Sequence, residues 1–254
     1  MKRVRVIPVL LLCNNALYKT RKFKSPVYIG DPINTVKIFS EKEVDEIVLL
    51  DVNAHKNLSE PNYSLLEQIS SECFIPITYG GGIRNLDHIK NLLFLGVEKV
   101  SINSTLFSHG DLWKEAIYKF GAQSIVASID IKKHFWGYSV YTHGGTKRIW
   151  KSIPLILDYV KTIGCGEIFL NSIDRDGTFS GYDLNLVRLV TELAEMPVTV
   201  CGGCSSLENM QVAISEGASA VASGSLFCFK GSRQSVLINY PSQEDLNQNI
   251  FSNF

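Results

Sequence analysis

Apolar positions along the chain come in short bursts. Runs near 4–12, 46–52, 75–80 and 98–103 are rich in Val, Ile and Leu, and four more follow near 124–131, 167–173, 197–201 and 219–224. Between them lie stretches in which apolar residues recur three and four apart, near 32–43, 61–72, 85–95, 109–120, 152–163, 183–194 and 206–216, with a short last one near 232–239. Strands alternating with helices predict a parallel sheet with right-handed crossovers. Eight such units in 254 residues predict an α/β fold of the closed (β/α)8 type, a TIM barrel, with an open doubly wound sheet as the alternative.

The pattern also repeats. Residues 76–106 align without gaps with 197–227 at an offset of 121, setting Pro76 over Pro197, Gly81 and Gly82 over Gly202 and Gly203, and Ser104 over Ser225. The same offset sets "DEIVLLDVN" (45–53) over "GEIFLNSID" (166–174). One domain, 1–254, is therefore expected, built from half-barrels of about 1–121 and 122–240, with a polar tail from 241 to 254 as a loosely held terminus.

Composition narrows the classes without choosing a function. A chain 45% hydrophobic and 20% charged, with no net charge, has the profile of a soluble globular protein and carries no nucleic-acid footprint. No apolar run is long enough for a membrane helix, and "MKRVRVIPVLLLC" lacks a cleavage site, so a cytoplasmic protein is expected. The basic run Lys19 to Lys24 suits either a solvated loop or an anionic substrate. Six cysteines give no disulfide framework; "CGGC" (201–204) lacks a second ligand pair and reads as a glycine turn, so neither metal nor cofactor is expected.

Barrel sites lie on the loops after the strands. There the chain has paired glycine clusters, "GGGIR" (80–84) and "CGGCS" (201–205), followed by "SINST" (101–105) and "ASGSL" (222–226), each opening a helix. Glycines admit close backbone approach and helix N-termini favour anions, so the pairing predicts two phosphate sites and a substrate phosphorylated at both ends. "NSIDRDGTFSGYD" (171–183) adds Asp174, Asp176 and Gly177 in a turn-rich loop. Counting parity from strand ends makes Leu11 the mate of Asp130, so one of two facing carboxylates is missing. At the opposite strand ends, Arg5, Glu46, Lys99 and Glu167 form either a ring of alternating charge inside the barrel or solvated strand-end ion pairs.

These segments resemble the cyclase subunit of imidazole glycerol phosphate synthase, across nearly the whole chain. "GDP" (30–32), "DEIVLLD" (45–51), "YGGGIR" (79–84), "KVSINS" (99–104), "YTHGG" (141–145), "GCGEIFLNSIDRDGT" (164–178) and "GYDL" (181–184) carry the resemblance. It implies a half-barrel duplication, a glutaminase subunit docked on the barrel floor, and ammonia passing through the barrel to a phosphorylated small-molecule substrate at the mouth. By position it implies that Arg5, Glu46, Lys99 and Glu167 form an ammonia gate. Phosphate contacts would come from Gly82, Asn103, Ser104, Gly177, Gly203, Gly224 and Ser225, with Lys19 from the first loop. Asp130 would act as a catalytic carboxylate, with Asp51 and Asp176 as acidic residues near the site. No cofactor and no metal are implied.

Leu11 stands where the family has its other catalytic aspartate, and "VCGGCS" (200–205) replaces "ASGGAG". An apolar side chain moves no proton, and losing one arm of acid–base catalysis costs about 10² to 10⁴ in rate. "VIPVLLL" and "SVLINYPS" (235–242) are similar to a divergent branch whose members accompany a glutaminase and a third enzyme that amidates sugars of surface polysaccharide (lipopolysaccharide) or flagellin. The expectation is thus a synthase subunit supplying ammonia to such an acceptor. The alternatives are an ordinary histidine-biosynthesis cyclase and a non-catalytic ammonia conduit.

Overall fold

Eight of the apolar runs become parallel strands that close on themselves. In the computed structural model, which describes residues 4–54, 59–231 and 234–251, the barrel strands are β1 (Arg5–Cys13), β4 (Ile47–Asp51), β5 (Ile77–Gly80), β6 (Lys99–Ile102), β7 (Ile125–His134), β10 (Glu167–Ser172), β11 (Val198–Cys201) and β12 (Ala220–Ser223). They pair in that order, and β12 returns to β1 with Arg5 opposite Ala220. Helices between the strands make this a (β/α)8 barrel. Among the described residues no helix is long and apolar enough to cross a membrane.

Alternation along the strands divides the apolar residues into two layers. Val6, Leu10 and Leu12 face the helices and join the large outer core. Ile7 and Val9 face inward with Val48, Val126, Phe169, Ala220 and Ala222, packed against Leu11 and Leu50. The interior is therefore a small apolar plug between two polar ends. The loops after β5 and β11 press on the preceding strand ends. A Cβ on Gly81 would come within 2.6 Å of the Asp51 carbonyl oxygen, and one on Gly202 within 2.7 Å of that of Ser172.

Each half also inserts a hairpin after its first strand. β2 (Ala16–Arg21) returns along β1 through Asn14 and Asn15, both at positive φ, and β3 (Lys24–Gly30) follows through Lys22 and Phe23, again both positive. Asparagine tolerates this geometry, so the Asn-Asn pair is the sequence signal of the first turn. In the second half, β8 (Gly137–Thr142) and β9 (Lys147–Arg148) extend β7.

Two expectations fail at the C-terminus. In place of a helix near 232–239, a short helix (Ser225–Cys228) leads into a hairpin of β13 (Phe229–Lys230) and β14 (Ser235–Val236), while 232–233 lie outside the described residues. The tail is not loose: Gln243–Asn249 forms a helix with a capping box between Ser242 and Asp245, and Leu246 and Ile250 are fully buried. Tyr240 Oη donates to the Val6 carbonyl at 2.9 Å, tying the tail to the start of β1. Residues 252–254 lie outside the described residues.

Candidate functional site

At the N-terminal end of the barrel, four charges that are far apart in sequence meet. Arg5 bonds the Glu46 carboxylate and, at 2.8 Å, that of Glu167; Lys99 Nζ reaches Glu46 at 2.8 Å and Glu167 at 3.1 Å. Each cation therefore touches both anions. Thr78 Oγ1 donates to Glu46 at 2.6 Å, and Thr199 Oγ1 donates to Glu167. Glu46 is 3% exposed and Glu167 8% exposed, so of the two geometries left open by the sequence this is the enclosed ring. Burial pushes the Glu167 carboxyl up, but Arg5 and Lys99 outweigh it and hold it below the usual range. Thr78 and Thr199 escaped the sequence reading, although they are mates at the repeat offset and share an inward face with the apolar plug.

At the opposite end the polar groups gather on one side. Asp130, Asn171 and Cys201 stand in register on β7, β10 and β11, all on inward faces. Asn103 Nδ2 donates to the Ser128 carbonyl (3.0 Å) and to Asp130 Oδ2 (3.3 Å). Burial, with a smaller push from Asp176, raises the Asp130 carboxyl to about 7, so it holds or releases a proton near neutrality. Asp176 is also raised by burial, against the opposing pull of Thr20, the Phe23 N–H and Lys19. The first hairpin roofs this region: Thr20 Oγ1 donates to Asp176 Oδ2 at 2.9 Å, and Lys22 N to the Asp176 carbonyl at 2.9 Å. Gly177 is needed there, because a Cβ would strike the Thr20 carbonyl.

The structure distributes the remaining sequence-selected residues unevenly. Asp176, Gly177, Gly203, Gly224 and Ser225 line one hollow, beside Cys201 and Cys204. Lys19, expected on a loop, lies on β2, is 4% exposed and bonds the Val9 carbonyl beside Gly224. In the other half, Ser104 Oγ accepts from His143 N at 3.1 Å, while Gly82 packs beneath 59–61. Gly82, Asn103 and Ser104 line neither this hollow nor the larger cleft. Asp51 shares the outward parity of Ile47 and Leu49, accepts from Asn53 N (2.9 Å) and Ala54 N (3.0 Å), and so is turned away from Asp130. It borders a cleft of about 370 Å³ with Asn14, Asn53, Glu60 and Asn62, which Asp130 does not line. Cys201 and Cys204 are free and buried; burial pushes both thiols up, Cys204 to about 11, which leaves neither a ready nucleophile. Asn171 and its carboxamide, with Oδ1 buried and unpartnered among the described residues, also went unnoticed in the sequence, where nothing but its register with Asp130 marks it.

Residues 5–233 match the family model described as "Histidine biosynthesis protein". The chain is 48% identical over 248 residues to a Pseudomonas aeruginosa protein named "Putative imidazole glycerol phosphate synthase subunit hisF2", covering 97% of this chain and 99% of that one. It is 44% identical to the Leptospira borgpetersenii protein named "Putative imidazole glycerol phosphate synthase subunit HisF", covering 96% and 98%. A Vibrio vulnificus protein with the same form of name, subunit hisF3, is also 44% identical, covering 96% and 95%.

Proposed function

This chain belongs to the histidine biosynthesis protein family, and from that premise we propose that it is the cyclase-type, lyase-class synthase subunit of a glutamine amidotransferase complex. In this reading a glutaminase subunit docks at the barrel floor, ammonia enters through the charge ring, and it is joined to an acceptor at the mouth. The ring carries the proposal. Replacing a buried ion-pair cluster by apolar residues is often neutral or stabilising, so four charges cross-bonded around the barrel axis favour a gating role over a purely structural one. The relatives' names as synthase subunits support the same role.

Asp130 is the proton-handling group. Ammonia becomes positively charged as its lone pair forms the new bond, and a carboxyl that titrates near 7 can accept the proton lost from that nitrogen. Asp176 reinforces the raised pKa and lies under the roofing hairpin, where it orders Thr20 and Phe23. Leu11 supplies no second proton carrier, which favours an acceptor needing one acid–base group: a surface-polysaccharide or flagellin sugar, amidated with a third enzyme. Asp176 standing close enough to perturb Asp130 favours a second reading, the cyclase of histidine biosynthesis using that pair.

Two measurements test the proposal. The purified barrel should bind and stimulate a glutaminase, and Lys99→Met should uncouple the two; a barrel that stimulates none overturns the amidotransferase reading. With ammonium and the phosphorylated substrate of the imidazole glycerol phosphate synthase cyclase, Leu11→Asp should raise a low cyclisation rate by about 10² or more. Wild-type turnover already equal to that of the variant would favour the histidine pathway.

A further inference from the structure

The hairpin that leaves the mouth in the second half carries a concentration of positive charge used by neither floor nor mouth. Residues 131–151 contain Lys132, Lys133, Lys147, Arg148 and Lys151 and no Asp or Glu, in a chain whose net charge is zero. Its two faces differ. Ile131, Val140 and Ile149 pack into the outer core. The other face presents Lys132 and His134 from β7, Ser139 and Tyr141 from β8, and Arg148 from β9, and continuing the register sets Trp150 opposite Ser139.

On that second face two hydrogen-bond donors have no acceptor among the described residues. Ser139 is 3% exposed and its Oγ is unpartnered; Arg148 Nε is likewise buried and unpartnered. Buried donors are almost always satisfied, so two orphans on one face, in adjacent cross-strand rows with Lys132 opposite Ser139, suit an anionic acceptor. Aromatic planes surround them. The Arg148 guanidinium lies 4.1 Å from the centroid of the Trp150 ring, which is 81% exposed, and Lys132 Nζ lies 4.5 Å from the Tyr141 centroid. Trp136 stacks on His134 at 5.1 Å and 4°, with its far face open. The corresponding turn of the first half holds only Asn14 and Asn15. The Phe135-Trp136 turn is closed by Gly137 at φ 125°, so nothing in its geometry calls for aromatic residues.

We propose that this face is a nucleotide-binding site. Phosphate oxygens accept from Ser139 Oγ–H and Arg148 Nε–H, with the Lys132 ammonium, which donates to the Gly145 carbonyl at 2.7 Å, supplying charge beside them, and the base stacks on Trp150. Lys132 and Trp150 flank Ser139 in the cross-strand row, so the ligand enters by parting two long side chains, a rotamer change on the ps–ns scale. Asp130 lies on the same face of β7, two residues from Lys132, which sets the site against the rim of the mouth. The binding claim stands independently of any reaction there.

Uridine diphosphate titrated against the intact chain tests it, by quenching of tryptophan fluorescence and by calorimetry. Saturable one-to-one binding is expected, falling steeply with salt, with uridine and inorganic phosphate each at least about tenfold weaker because each lacks one half of the recognition. Ser139→Ala, Arg148→Ala and Trp150→Ala should each weaken binding about fivefold or more, read by calorimetry, while Arg148→Lys keeps the charge and loses the Nε–H. Circular dichroism on every variant monitors the fold, and Ser139→Ala removes only one unpaired hydroxyl. No saturable binding at millimolar uridine diphosphate overturns the proposal. So does phosphate binding as well as the diphosphate, or binding unchanged in both Ser139→Ala and Arg148→Ala, which would place the ligand in the glycine hollow at the mouth.

Discussion

At the floor of the barrel, Glu46 and Glu167 are repeat mates, and each accepts a hydroxyl from a second mated pair, Thr78 and Thr199. At the mouth the mates differ: strand parity sets Leu11 against Asp130, and the repeat offset sets Leu50 against Asn171 and Gly80 against Cys201. One end of the same internally repeated scaffold is symmetric and the other is not. The physical demands differ. A buried ring of opposite charges is stable only if every carboxylate has partners, and the loss of any one member strands the rest. Under the proposed function the mouth moves one proton and needs one titrating carboxyl, which leaves its remaining positions free to be apolar. Even the floor is symmetric only in its anions and their threonine donors, because both cations come from the first half and stand over Ser124 and Ala220 in the second.

Breaking the mouth should have the largest effect. Asp130→Asn is expected to reduce ammonia-dependent turnover by about 10² to 10⁴, measured with the assembled complex. The same variant should change the pH dependence of stability. Asp130 titrates near 7 in the folded chain against 3.8 when unfolded, so the folded state binds the extra proton between those values and loses stability as pH rises through that window. Urea unfolding should show the Asp130→Asn variant more stable than wild type at pH 8 and close to it at pH 4.

Breaking the floor comes next. Lys99→Met leaves two enclosed carboxylates short of a partner and should cost about 3–5 kcal/mol in urea unfolding. The symmetry itself is tested by Thr78→Val and Thr199→Val. Each removes one bond to a charged acceptor and should cost about 1.5–3 kcal/mol, with nearly equal losses; a large inequality would mean that the two glutamates are not equivalent. The smallest effect is expected at Tyr240→Phe, where loss of the bond to Val6 should cost about 1 kcal/mol and loosen the tail, read as faster amide exchange at Leu246 and Ile250.

Much of this was legible in the chain. Seven of the barrel strands fall within two residues of the predicted runs and β7 extends three residues further, into its hairpin; the parity argument that set Leu11 opposite Asp130 agrees with the inward cluster around Ile7, Val9 and Leu11. The four floor charges could be named, but not their mutual bonding, because Arg5 and Glu167 are 162 residues apart. The hairpins were missed for a different reason. Their apolar residues are few and their turns short, so they lie inside what reads as a polar loop, although Asn14-Asn15 was a usable signal. The tail misled because a seven-residue amphipathic helix with a single buried leucine, Leu246, has almost no periodicity to detect.

Sequence by itself thus determined the barrel, its internal repeat and the apolar residue at position 11 that parity sets against Asp130. All three are written in local periodicity, or in the comparison of one segment with another. Only the tertiary structure decided that four distant charges share one ring, that Asp51 faces away from Asp130, that Lys19 is buried on a strand, and that Ser139 and Arg148 carry donors with nothing to bond. Those facts depend on strand register and on what closes over each side chain. Both are set by packing between segments that the chain order keeps far apart.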